Sequence, residues 1–148
     1  MKLANYLDLS LIHFLDAKTR DKAIFEMVQS AYDAGFLESV NSFYKAIMER
    51  EKIISTGIGM GVSIPHAKLD NLQNFFISLG ILKKRGLEWN SLDKTPVRLI
   101  FLIGGPTALK KEYLQLLSLL TSAIKQESFR RKLLMAASPQ EVYLLFDR

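Results

Sequence analysis

The sequence predicts an α/β fold, a sheet with helices packed around it, and three observations carry that expectation. Two stretches of helical apolar spacing come first, short runs of branched and aromatic residues occupy the middle, and helical spacing returns to the end. A chain of 148 residues is long enough to bury one sizeable core and too short for two, so residues 1–148 are read as a single domain. With 49% hydrophobic and 24% charged residues and no low-complexity tract, nothing in the composition argues for disorder.

Leu7, Leu9 and Leu11 alternate near the start, as in an edge strand. Thr19 is a candidate N-cap for a helix whose apolar face holds Ala23, Ile24, Met27, Val28 and Ala31, and Gly35 stops it. A second amphipathic helix is expected over 36–51, with Phe43, Ala46 and Ile47 inward and an end near Arg50 and Glu51. A loop follows over 55–61. Strands are expected over 62–64, 75–82 and 97–103, separated by the turn-like segments LKKRG and NSLDKTP. The last of these, with Leu99, Ile100, Phe101, Leu102 and Ile103 unalternated, reads as a central strand covered on both faces and ended by Gly104-Gly105-Pro106. Leu114, Leu117, Leu120, Ala123 and Ile124 then form the stripe of a helix over 110–125. A shorter helix spans 128–136, and Ser138-Pro139-Gln140-Glu141, a capping box with proline at the first helical position, starts a final helix through Phe146.

Composition also removes several functions. The 20 Lys plus Arg exceed the 15 Asp plus Glu, but the basic residues lie in small groups (Lys83-Lys84-Arg85, Lys110-Lys111, Arg130-Arg131-Lys132) without interleaved aromatics to stack bases. Solvated faces are therefore expected, not a nucleic-acid interface, with a mild positive field that attracts an anionic partner. The lack of cysteine excludes disulfides, thiolate metal sites and cysteine nucleophiles. Asp8 and Asp16 interrupt the first residues, so no secretory signal is expected, and no apolar run approaches a membrane span. The expectation is a soluble, cytoplasmic protein without stable membrane insertion.

Residues 55–68 read STGIGMGVSIPHAK, with Gly57, Gly59 and Gly61 ahead of an Ile-Pro-His. A dinucleotide fingerprint needs its third glycine where Val62 stands, and a P-loop needs Gly-Lys-Ser/Thr at its end. The only other histidine is His13, in an unrelated segment, so a transition-metal site is unsupported; Ser55 and Ser63 lack the elbow and orienting acid of a hydrolytic triad. What remains for chemistry is His66 itself, since neutral imidazole is a nucleophile near pH 7. For phosphoryl transfer, Arg50, the hydroxyls of Ser55 and Thr56 and the glycine-rich amides would be the donors. A histidine stiffened by Pro65 in an inert turn is the competing reading, and the residues alone leave both open.

The string RE-x-x-x-STGIG-x-G-x-x-IPHA, here Arg50-Glu51 and Ser55 to Ala67, resembles the phosphorylation-site signature of the IIA components of the fructose and mannitol type of the bacterial sugar phosphotransferase system, the nitrogen-related branch included. Asp93-Lys94-Thr95-Pro96-Val97 is similar to the family's D-x-x-P-V entry to a central strand, and Glu112 to Leu117 to its H-L-x-x-L-x helix. The resemblance implies a mixed sheet sandwiched by helices and a phosphocarrier needing neither cofactor nor metal. It implies that His66 takes a phosphoryl group from the phosphohistidine of an HPr-type carrier and passes it to a cysteine of a IIB partner, which the present residues do not supply. A regulatory protein whose phosphorylation state selects its partners is the alternative. Arg50 matches the arginine beside the histidine, and Ser55 and Thr56 the hydroxyl positions of the loop. One departure stands out: where the family commonly carries a second histidine, this chain has Tyr113, which is either a hydrogen-bond donor to a phosphoryl oxygen or a half-buried helix residue. His13 is expected to be structural and Trp89 to pack a hairpin, while Ile58, Met60 and Leu69 are candidates for an apolar docking rim or for loop packing.

Overall fold

A computed structural model describes residues 1–147. After a 3-10 turn at Leu3–Tyr6, the elements are β1 (Leu7–Phe14), α1 (Arg20–Asp33), α2 (Val40–Ile53), β2 (Gly57–Gly59), β3 (Val62–Ser63), β4 (His66–Lys68), β5 (Phe76–Ile81), β6 (Leu99–Gly105), α3 (Lys110–Ile124), α4 (Glu127–Met135) and α5 (Pro139–Phe146). The strands form one mixed sheet in the order β1-β5-β6-β3-β2, with β4 also on β6. This is the mixed α/β single domain the sequence predicts.

Period-two alternation divides the sheet between two sets of helices. Leu99, Phe101 and Ile103 of β6, with Ile77, Leu79 and Ile81 of β5, pack against α3, α4 and α5 through Leu116, Leu120, Phe129, Val142 and Phe146. Ile100, Leu102 and Phe76 face the opposite way, onto Met27, Val28, Phe43 and Ile47 of α1 and α2. Every residue of β5 and β6 is buried, as a strand pair covered on both faces must be.

Local chemistry explains the helix ends. Thr19 Oγ1 accepts from Lys22 N at 3.2 Å, and α1 ends with Gly35 at φ +88° and Phe36 N donating to Ala31 O at 2.9 Å. That termination corrects the expected second helix over 36–51: Phe36 belongs to the end of α1, and Ser39, whose Oγ accepts from Ser42 N, starts α2 at Val40 and lets it run to Ile53. Ser138 Oγ accepts from Glu141 N, the N-cap the sequence predicts, while Glu141 Oε2 accepts from Ala137 N, one residue before the N-cap N–H of the expected capping box.

Three strand expectations change. Leu7 and Leu11 are buried but Leu9 is 43% exposed, because the β1 register on β5 shifts between Leu7 and Ile12 and breaks the alternation. β6 is displaced two residues from the expected 97–103: Val97 pairs instead with Leu87 in an isolated bridge, and Gly104 and Gly105 continue the ladder with Phe76 and Lys68 rather than ending it. Phe75 lies where a Cβ on Gly105 would stand, so the strand's end requires glycine for close approach. Finally, the expected glycine loop is a hairpin in which β2 pairs antiparallel with β3 around Met60. Gly59 and Gly61, at φ +92° and +74°, supply the left-handed backbone this turn needs.

Candidate functional site

β3 and β4 are two halves of one ribbon alongside β6. Val62 pairs with Leu99 and Ser63 with Ile100, then, in unbroken register, His66 with Ile103, Ala67 with Gly104 and Lys68 with Gly105. Pro65 interrupts the ladder because it has no N–H, although its carbonyl still accepts from Ile103 N at 2.9 Å. By alternation Val62, Ile64, His66 and Lys68 project to one side. The first two enter the core under α3–α5, and the last two reach the sheet's margin, where they are half-buried.

The His66 ring is held by its own backbone. Nδ1 lies 2.9 Å from the carbonyl oxygen of Ile64, and since a carbonyl can only accept, Nδ1 carries the proton and Nε2 keeps the lone pair. Burial holds the ring's pKa below the ordinary 6.5; the Ile64 carbonyl opposes this, and the positive charges of Arg50 and Lys68 reinforce it. The imidazole is therefore neutral at physiological pH, with Nε2 unprotonated.

Tyr113, on the first turn of α3, forms one wall. Its ring centroid is 5.9 Å from that of His66 and 5.9 Å from that of Phe75, and Lys68 Nζ sits 4.5 Å above its face. Burial raises the phenol's pKa despite a lowering contribution from Arg50, so it keeps its proton, and among the described residues its hydroxyl has no hydrogen-bond partner. Arg50, in the last turn of α2, donates from Nη1 to Ile54 O at 2.8 Å. Among the described residues neither Arg50 nor Lys68 has a carboxylate in ion-pair range. Two cations without a contacting carboxylate thus act on one neutral ring.

The structure draws His66, Arg50 and Tyr113 together but commits the hydroxyls of Ser55 and Thr56 elsewhere. Ser55 Oγ donates to Trp89 O at 2.6 Å and accepts from Gly57 N at 3.0 Å. Thr56 Oγ1 donates to Glu51 Oε2 and accepts from Trp89 Nε1 at 3.2 Å, while Thr56 N donates to Glu51 Oε1 at 3.2 Å. With both protons engaged here, these side chains brace the loop. Glu51, only 4% exposed, is the buried centre of that brace. Trp89 closes it from the 87–97 segment, and Asp93, accepting from Met60 N at 2.9 Å and Thr95 N at 3.0 Å, fastens the glycine turn.

Sequence reasoning singled out neither Glu51 nor Lys68 for a role. Lys68 was findable, being two residues beyond His66 on what proves to be a strand. Of the expected rim, Ile58 and Met60 are 43% and 41% exposed, whereas Leu69 packs partly against the core. Ile53, Ile54 and Leu92, which line a shallow depression with Ile58 and Gly57, are more exposed still. His13 lies on β1, and burial holds its pKa below 6.5. Among the described residues no three His, Asp or Glu side chains gather to hold a metal ion, and no helix is long and apolar enough to cross a membrane.

Comparison with known proteins gives these features a context. Residues 5–148 match the family model described as phosphoenolpyruvate-dependent sugar phosphotransferase system, EIIA 2. The fructose-specific EIIA component of Haloferax volcanii is 35% identical over 124 residues, 84% of this chain and 80% of that protein. The fructose-specific EIIABC component of Bacillus subtilis is 34% identical over 96% of this chain, which spans 22% of that longer protein. Among solved structures, the nitrogen regulatory protein IIA-Ntr of Neisseria meningitidis superposes with a TM-score of 0.89 at 26% identity, covering 97% of each chain.

Proposed function

This chain belongs to the EIIA 2 family of the phosphoenolpyruvate-dependent sugar phosphotransferase system, and from that premise we propose that residues 1–148 act as one phosphocarrier domain with His66 as the phosphoryl acceptor. The observation that carries the proposal is the bond from Nδ1 to the Ile64 carbonyl, which leaves Nε2 bare at a half-exposed margin beside Arg50. The Nε2 lone pair attacks the phosphorus of a phosphohistidine on an HPr-type carrier. The donor's P–N bond breaks with its electron pair left on the donor ring, and the proton stays on Nδ1, donated in a hydrogen bond to the Ile64 carbonyl. In this reading Arg50 offsets the charge on the transferring group and the Tyr113 hydroxyl, which keeps its proton, donates to one of its oxygens. Onward transfer to a thiolate of a IIB domain reverses the first step, returning the pair to Nε2. The exposed apolar side chains at Ile53, Ile54, Ile58 and Leu92 offer the partner a contact surface, and the setting is the cytoplasm.

Incubating the protein with a phosphorylated HPr-type donor is expected to place an acid-labile phosphate on wild type and none on His66→Ala. Equal labelling of the two would sink the acceptor assignment.

The likeness to a nitrogen regulatory protein favours a second reading, in which the phosphorylation state of His66 selects a regulatory target and no transporter is fed. Pull-downs with phosphorylated and unphosphorylated protein separate the two. Recovery of a IIB domain alone supports transport, and a target retained by one form only supports regulation.

A further inference from the structure

We propose that Lys68 is a second phosphoryl-binding cation, stored on the face of Tyr113 while His66 is free and transferred to the phosphoryl oxygens once Nε2 is phosphorylated. The inference rests on His66 being the acceptor and adds a residue to that chemistry.

The placement follows from β4. His66 and Lys68 are separated by one residue on a strand, so both side chains leave the same side of the ribbon, with Ala67 buried on the other. The pairing of Lys68 with Gly105 fixes its backbone, so its side chain starts beside the imidazole whatever its rotamer. Its Nζ rests 4.5 Å from the centroid of Tyr113, a ring that in turn lies 5.9 Å from the His66 ring. The ammonium, the phenol face and the imidazole are consecutive neighbours.

The charge balance then argues that this resting place is provisional. Lys68 has no ion pair and Arg50 donates only to a carbonyl, so among the described residues neither positive charge at the margin has a carboxylate in contact. The nearby carboxylate of Glu51 is engaged by Thr56 on the buried side of the loop. A quadrupole is a weaker partner for an ammonium than an anionic oxygen, so an arriving phosphoryl dianion draws Lys68 off the ring into charge-assisted hydrogen bonds. Tyr113 at this position gives the lysine a neutral, aromatic perch. An imidazole there would titrate near neutrality and repel the ammonium when protonated.

The test uses phosphoramidate, a small-molecule donor that needs no carrier protein, at pH 8, where the His66 ring is neutral in every variant. Phosphohistidine formation is followed by phosphorus NMR. Lys68→Gln is expected to form it about tenfold more slowly than wild type, a modest loss for one charged donor because the site is partly solvated. Lys68→Arg, which keeps the positive charge, recovers most of the rate. In wild type, the Lys68 ε-methylene protons start upfield, shifted by the Tyr113 ring, and move downfield on phosphorylation. Lys68→Gln reacting at the wild-type rate, or a wild-type methylene shift that does not move on phosphorylation, while His66→Ala fails to react, overturns the role of Lys68 and leaves the acceptor standing. Reaction of His66→Ala as fast as wild type overturns the acceptor, and the Lys68 proposal with it.

Discussion

β6 and the ribbon formed by β3 and β4 lie side by side in parallel register, yet one is all packing and the other ends at His66, the proposed acceptor. Every residue of β6 is buried, whereas the ribbon is sealed through Pro65 and then opens, with His66 and Lys68 half-exposed. The difference lies in what covers the ends. Helices close over both faces of β6, but His66 stays half-exposed with Tyr113 of α3 against its ring. A parallel ladder can thus supply rigidity to a reacting group without burying it, provided the group sits where the helical layer ends.

The sharpest way to break the comparison is to damage each partner separately. Phe101→Ala, in the middle of β6 and fully buried, should lower stability by about 3–5 kcal/mol in urea unfolding, through lost burial and the cavity left behind. If labelling of the molecules that remain folded fell as steeply as stability, packing and chemistry would not be separable here. Thr56→Val, near isosteric, strips the hydroxyl from a buried carboxylate and a buried indole at once. About 1–3 kcal/mol of stability should go with it, along with slower labelling as the 55–61 hairpin loosens. Unchanged melting would show that the Glu51 brace is not needed.

Pro65→Ala sharpens the contrast further. It restores an N–H at the break in the ribbon and frees the unfolded chain, so about 0.4–1 kcal/mol of stability should be lost. The accompanying sign is a looser His66 ring, visible as a weaker Nδ1–H···O bond in nitrogen NMR.

Acidification should produce the gentlest effect. Burial holds both His66 and His13 below 6.5, so the unfolded chain binds protons more readily than the folded one in the window beneath that value. Stability contributed by the two neutral rings is therefore complete above pH 6.5 and declines as pH falls through the window. His13→Gln should flatten that decline without moving the pH profile of labelling, which follows His66 alone. A shift in the labelling profile would mean that the two rings are coupled.

Much of this architecture was legible because short-range physics wrote it. Thr19, Gly35 and Ser138 act within one helical turn of themselves, and the unalternated run through Phe101 announces a strand covered twice. The position of His66 in a hairpin-fed strand was not legible. Three residues after a proline carry no detectable period, and the glycines that suggested an open loop are needed for a tight turn between paired strands. Ser39 hid because Phe36 and Leu37 continue an apolar spacing across a helix end. The brace of Glu51, Thr56 and Trp89 joins residues 33 positions apart, which no local pattern reveals. Lys68 looked like any surface lysine until the strand aligned it with the imidazole.

The oxygen that leaves Nε2 as the His66 nitrogen with the free lone pair is part of the main chain at Ile64. No amino-acid replacement at that position removes it, so a mutational scan would pass over the most decisive contact in the pocket and register it only indirectly, wherever a change twists the peptide plane. The choice of tautomer is inherited from the path of the polypeptide and is correspondingly hard to lose.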